Sequence, residues 1–127
     1  NFLDVTWRDN TPTVFAEDPV ALDELLSDVS VPDRAVRMGI RPDDMYLGEA
    51  SAEGTPRSRG ATLSDPVEFE LELVDPLGHV YELSVTRDGE TVVTQSETRP
   101  IQRVGERIHL RLDQRHVHWF DDEGKAL

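Results

Sequence analysis

With 127 residues, 37% of them hydrophobic, the chain is long enough for one domain with a real core, and disorder over most of its length is excluded. It has no cysteine, so disulfides, thiolate metal sites and cysteine nucleophiles are excluded as well. A formal charge of −13, from 26 acidic against 13 basic residues, repels phosphate backbones and anionic lipid and argues against nucleic acid as a partner.

The chain opens on Asn1 rather than Met, directly on a strand-like segment, which predicts further sequence upstream. Leu3, Val5 and Trp7 alternate with Asp4, Thr6 and Arg8 as in one strand with one buried face. Asn10-Thr11-Pro12 should break it, with a short second strand over 13–16. Asp18-Pro19 offers an N-cap followed by a proline, and Leu22, Leu25, Leu26 and Val29 follow at helical spacing, so one short amphipathic helix is predicted, ended by Pro32. Val36, Met38 and Ile40 alternate with Arg37, Gly39 and Arg41 in a further strand, which Pro42-Asp43-Asp44 turns. Residues 48–66, rich in Gly, Ser, Pro and charge, read as a long mobile loop between a first half, 1–47, and a second, 67–127.

The second half has the cleaner pattern. Val67, Phe69, Leu71 and Leu73 alternate with Glu68, Glu70 and Glu72 without interruption. Asp75-Pro76-Leu77-Gly78 predicts a turn, Tyr81, Leu83 and Val85 a second strand, and Asp88-Gly89 a hairpin into a strand over 91–96. Val104-Gly105-Glu106 turns the chain again before Ile108, Leu110 and Leu112, and a last short strand over 116–120 ends at Asp121-Asp122-Glu123-Gly124. Short strands with turns every eight to twelve residues predict a mainly all-β fold, and a five-stranded, partly open barrel of OB type fits the lengths.

Constellations that carry chemistry are sparse. Glu68, Glu70 and Glu72 are spaced for paired carboxylates, about 7 Å apart on one strand face, but they lie opposite an apolar face and should be solvated. His116 and His118 are expected to share a strand face, with His109 on a neighbouring strand, but nothing fixes a third metal ligand. Asp121 to Gly124 lacks the spacing of a calcium loop and reads as a turn. Neither G-x-x-x-x-G-K-[ST], G-x-G-x-x-G nor G-x-S-x-G occurs. No catalytic, cofactor-binding or metal-ligating residue is therefore assigned, and the work expected of the chain is binding or regulation rather than catalysis.

Four stretches, read in order, resemble the C-terminal region of sugar-importer ABC ATPases, the maltose and glycerol-phosphate transporter type. They are Asn1-Phe2-Leu3; Gly39-Ile40-Arg41-Pro42-Asp43-Asp44; Val74-Asp75-Pro76-Leu77-Gly78; and His116-Val117-His118-Trp119-Phe120-Asp121 with Gly124-Lys125-Ala126-Leu127. The resemblance implies the transport-associated OB module called TOBE, with OB-like barrels built by strands of both halves. It makes Gly39, Ile40, Arg41, Pro42, Pro76, Leu77 and Gly78 the motif and possible interface residues. ATP and Mg²⁺ would then belong to a nucleotide-binding domain upstream, absent here, and this chain would have no ATPase activity.

The partners implied are a second copy of the ATPase subunit, the membrane subunits reached through the missing domain, and a regulatory protein or small effector. The implied location is the cytoplasmic face of the cell membrane. Departures are the long stretch 48–66, Asp44 where His is common, Trp119 where Leu is common, and His79 rather than Ser after Gly78. With a single Lys, Lys125, the last departure disfavours a molybdate-type effector. Arginine-dominated, lysine-poor acidity also predicts adaptation to a high-salt cytoplasm. The alternative is a stand-alone OB or Mop-like domain that binds an oxyanion or a sugar.

Overall fold

The computed structural model describes residues 1–48 and 62–127. Most of the predicted 48–66 loop, residues 49–61, thus lies outside the described residues. The strands are β1 Phe2–Asp4, β2 Thr6–Arg8, β3 Thr11–Val14, β4 Val20–Ala21, β5 Arg37–Gly39, β6 Met45–Leu47, β7 Val67–Pro76, β8 Tyr81–Arg87, β9 Glu90–Ser96, β10 Arg107–Leu112 and β11 His118–Phe120. Among the described residues a single α-helical turn, α1, covers Leu22–Leu25, and short 3-10 turns cover Pro42–Asp44 and Gln114–His116. The fold is mainly β, as the sequence predicts.

Three antiparallel sheets share one core. The largest has the order β6-β10-β7-β8-β9, the others β1-β5-β11 and β2-β3-β4. Leu71, Leu83, Val85, Ile108 and Leu110, all fully buried, fill the inner face of the large sheet, each worth about 1.5–3 kcal/mol of apolar burial. The sheet curls until its edges meet: the Thr94 hydroxyl of β9 bonds the carbonyl oxygens of Met45 at 2.9 Å and Pro42 at 3.1 Å, at the start of β6. The result is an OB-type half-barrel.

Local chemistry sets the turns. Asp88 and Gly89 both take positive φ, 53° and 75°, in the two-residue hairpin between Arg87 and Glu90 that an Asp-Gly pair favours. Asp9 and Asn10 do the same, at 51° and 66°. The chain therefore reverses between Arg8 and Thr11, and Pro12 lies inside β3 instead of ending a strand. The predicted single strand through Leu3, Val5 and Trp7 is in fact two. The Val5 amide bonds the Val36 carbonyl at 2.9 Å, while β1 pairs with β5 and β2 with β3, so the chain crosses from one sheet to another at Val5. The predicted helix starts late because Val20 and Ala21 pair with β3, and it closes after one turn at Leu26, whose φ of −107° and ψ of 86° leave helical geometry; Asp18-Pro19 does not cap it. The alternation of β7 is also interrupted: register shifts between Leu71 and Leu73, and this bulge turns Leu73 outward to 54% exposure.

Candidate functional site

The three-stranded sheet β1-β5-β11 presents one face to the core and one to solvent. Leu3, Met38 and Trp119 pair across the inner row and are buried. On either side of that row lie the pairings Phe2–Gly39–His118 and Asp4–Arg37–Phe120, which by the two-residue period of strands share the outer face. Phe2 is 67% exposed, and its ring meets Phe120 edge to face, centroids 5.8 Å apart.

Gly39 makes this arrangement possible. A Cβ at that position would lie 3.0 Å from the Phe120 ring and 3.2 Å from the Phe2 ring, so the two phenyl groups close over bare backbone. Two hollows flank the pair. One, of about 270 Å³, is lined by Asn1, Phe2, Gly39, Ile40, Arg41, His118 and Phe120. The other, of about 300 Å³, adds the carboxylates Asp121 and Asp122 to its wall.

Asn1 ties this sheet to the half-barrel. Its backbone nitrogen donates to the Ile40 carbonyl and its carbonyl accepts from the Ile40 amide, both at 2.9 Å. Its side-chain amide makes a reciprocal pair with Val93 of β9, at 2.6 and 2.8 Å. The closing stretch is fastened by Asp121, a buried carboxylate that accepts from the main-chain nitrogens of Glu123 and Lys125 at 3.0 and 2.9 Å. Ala126 then bridges to Phe120.

Of the motif residues expected at an interface, Gly39, Ile40 and Arg41 line the first hollow, whereas Pro42 lends its carbonyl to the barrel closure. Pro76, Leu77 and Gly78 sit apart, at the tip joining β7 to β8. There the Leu77 amide bonds the Val80 carbonyl at 2.9 Å, Gly78 takes φ 95°, and Leu77 is 43% exposed.

The histidines are not arranged as the sequence suggests. His118 lies on the exposed face of β11, but His116 lies in the preceding 3-10 turn and His109 faces Glu68 at 3.6 Å. His116 joins instead a trio with Asp44 and Asp113, whose ligand-type atoms all fall within 4.8 Å. These three could offer ligands to a divalent ion, yet they already bond one another and Arg115. The His116 Nδ1 is 2.7 Å from Asp44 and 3.6 Å from Asp113, while the Arg115 guanidinium grips both oxygens of Asp113 at 3.2 and 3.1 Å. Burial alone would raise the Asp113 carboxyl; hydrogen bonds from the Arg115 side chain and main chain, then the charges of Arg115 and His116, outweigh it and hold the group below its ordinary value. The trio thus acts as a latch between the two 3-10 turns.

The acidic stripe of β7 is solvated or paired. Glu70 and Glu72 are exposed, and Glu68 is engaged by Arg107 and His109. Sequence reasoning missed Thr94, the aromatic pair and the tie through Asn1. A hydroxyl on the inward set of β9, between Val92 and Ser96, was the available signal for the first.

A curled five-stranded antiparallel sheet carrying a second small sheet with an exposed aromatic face defines an OB-type module. The TOBE domain family model matches residues 38–120, and the chain belongs to that family. No curated protein matches it closely enough to count as a relative.

Proposed function

We propose that this TOBE domain is the C-terminal regulatory and pairing module of the ATP-binding subunit of an ABC importer for sugars or polyol phosphates. It contains no catalytic step and no cofactor of its own; ATP and Mg²⁺ bind in a preceding domain. One observation carries the reading. The stretches Asn1-Phe2-Leu3, Gly39 to Asp44 and His116 to Asp121, which resemble that class of ATPase when read separately, meet around one sheet and its exit turn. Val74 to Gly78 stands apart as a projecting hairpin tip, a second surface open to a partner. The partners on this reading are a second ATPase subunit, membrane subunits reached through the preceding domain, and a regulatory protein, at the cytoplasmic face of the membrane.

The coding sequence ahead of Asn1 tests it. A P-loop, a Leu-Ser-Gly-Gly signature and a Walker B carboxylate are expected there, and a reading frame without them overturns the proposal.

Adaptation to high salt is part of the same reading. Burial is the main cause that raises the Glu90 carboxyl above its ordinary value, and Asp4 and Asp88 add to it; only that smaller, like-charge part is repulsion that salt screens. The melting temperature should rise between dilute buffer and molar KCl; a salt-independent melt contradicts the adaptation.

A further inference from the structure

The hollow beside Gly39 has an unusual charge for this molecule. On a chain of net charge −13, its lining contains no carboxylate and two basic side chains, Arg41 and His118. Among the described residues neither side chain has a hydrogen-bond or ion-pair partner, although Arg37 on the same sheet is 3.8 Å from Asp4 and Arg34 is 3.7 Å from Asp121. The rings of Phe2 and Phe120 supply an apolar wall, and Gly39 leaves backbone uncovered by a side chain beneath them. A volume of about 270 Å³ stands near the lower end of the range for small-molecule sites, about 300–1,000 Å³, and limits the occupant to about one ring.

We propose that this hollow binds a small organic anion: a single ring with a CH-rich face that carries a phosphate or carboxylate. The guanidinium of Arg41, a planar fork suited to bidentate contact with oxyanions, and the His118 imidazole hold the anionic group. Phe2 and Phe120 cover the apolar face of the ring. An acidic molecule repels anions over most of its surface, so this carboxylate-free lining selects the place where one can approach. The inference rests on the hollow alone and does not depend on the importer reading.

The test titrates the 127-residue chain with glucose 6-phosphate as probe, with glucose and inorganic phosphate as controls, followed by calorimetry and by amide NMR shifts. Saturable binding of glucose 6-phosphate is expected, with shifts centred on Gly39, Arg41 and His118. Both controls should bind at least about tenfold more weakly, each lacking one of the two contacts. Arg41 is exposed, so Arg41→Gln should keep the fold; it should lower affinity at least about tenfold, and Arg41→Lys should recover part of the loss. Absence of saturable binding overturns the proposal. So do shifts centred elsewhere, inorganic phosphate or glucose binding as well as the probe, or an Arg41→Gln variant with unchanged affinity.

Discussion

The half-barrel and the β1-β5-β11 sheet solve the same burial problem and leave different remainders. In the half-barrel, apolar side chains turn inward and charged ones outward, and Glu68 on the outer face is already paired with Arg107 and His109. In the small sheet the inner row is as well buried, but the outer face holds an exposed phenylalanine, a second ring packed against it, and His118, which like Arg41 just beyond β5 has no side-chain partner among the described residues. An outer face of that composition gains little for folding from its exposed ring and leaves the side chains of Arg41 and His118 open to a ligand. The difference suggests a division of labour, in which the half-barrel carries the stability and the small sheet carries the contact with something else.

Truncating one side chain in each region should expose that division. Leu83→Ala removes a fully buried side chain from the half-barrel and should cost about 2–5 kcal/mol in chemical denaturation. Phe2→Ala, at 67% exposure, should cost no more than about 1 kcal/mol. Comparable losses would erase the distinction.

Gly39→Ala tests whether the exposed face is nonetheless built to close tolerance. With neighbours at 3.0 and 3.2 Å, the new methyl must push the two rings apart, at about 1–3 kcal/mol, and thermal melts should register it. A neutral result would mean that the rings move freely and do not define a wall.

Thr94→Val keeps the shape of a buried side chain but removes both hydroxyl contacts that join β9 to the start of β6. A loss of about 1–2 kcal/mol is expected from the two carbonyl oxygens left short of a donor. Amide exchange should quicken in β6 and β9 before it does in β7 and β8.

The Asp113 latch gives a smaller, pH-dependent signal. Its folded carboxyl titrates below its unfolded value, so its stabilisation is present above the unfolded value, about 3.9, and is lost as pH falls through the depressed folded value. Asp113→Asn should therefore melt lower than the parent at pH 7, with the gap narrowing below about pH 4. A gap that stays constant down to pH 2 would remove the charge-based account of the latch.

Much of the half-barrel was legible because its information is local. Two-residue alternation in Val67 to Leu71, Leu83 to Val85 and Ile108 to Leu112, and the Asp88-Gly89 pair, each identify an element without reference to the rest. The errors occur where a distant partner decides. Val5 ends β1 because the chain leaves β5 there: its amide makes a last bond to Val36 before Thr6 pairs with Thr13 of β3, and Val20 and Ala21 are drawn into a sheet by β3, which delays the helix. Leu73 faces outward because β7 slips against β8. The candidate site was legible only as scattered motifs. Resemblance marked Gly39 to Pro42, but the convergence of Phe2, Gly39, His118 and Phe120 needs pairings more than thirty residues apart in sequence, which no periodicity reports.

The most direct test of the division of labour is the double variant Phe2→Ala/Arg41→Gln, with its melting temperature and its calorimetric affinity for glucose 6-phosphate measured side by side. The account predicts a melt close to the parent's, far above that of Leu83→Ala, together with an affinity at least about tenfold weaker. Unchanged affinity, or a melt lowered as far as that of Leu83→Ala, would contradict it.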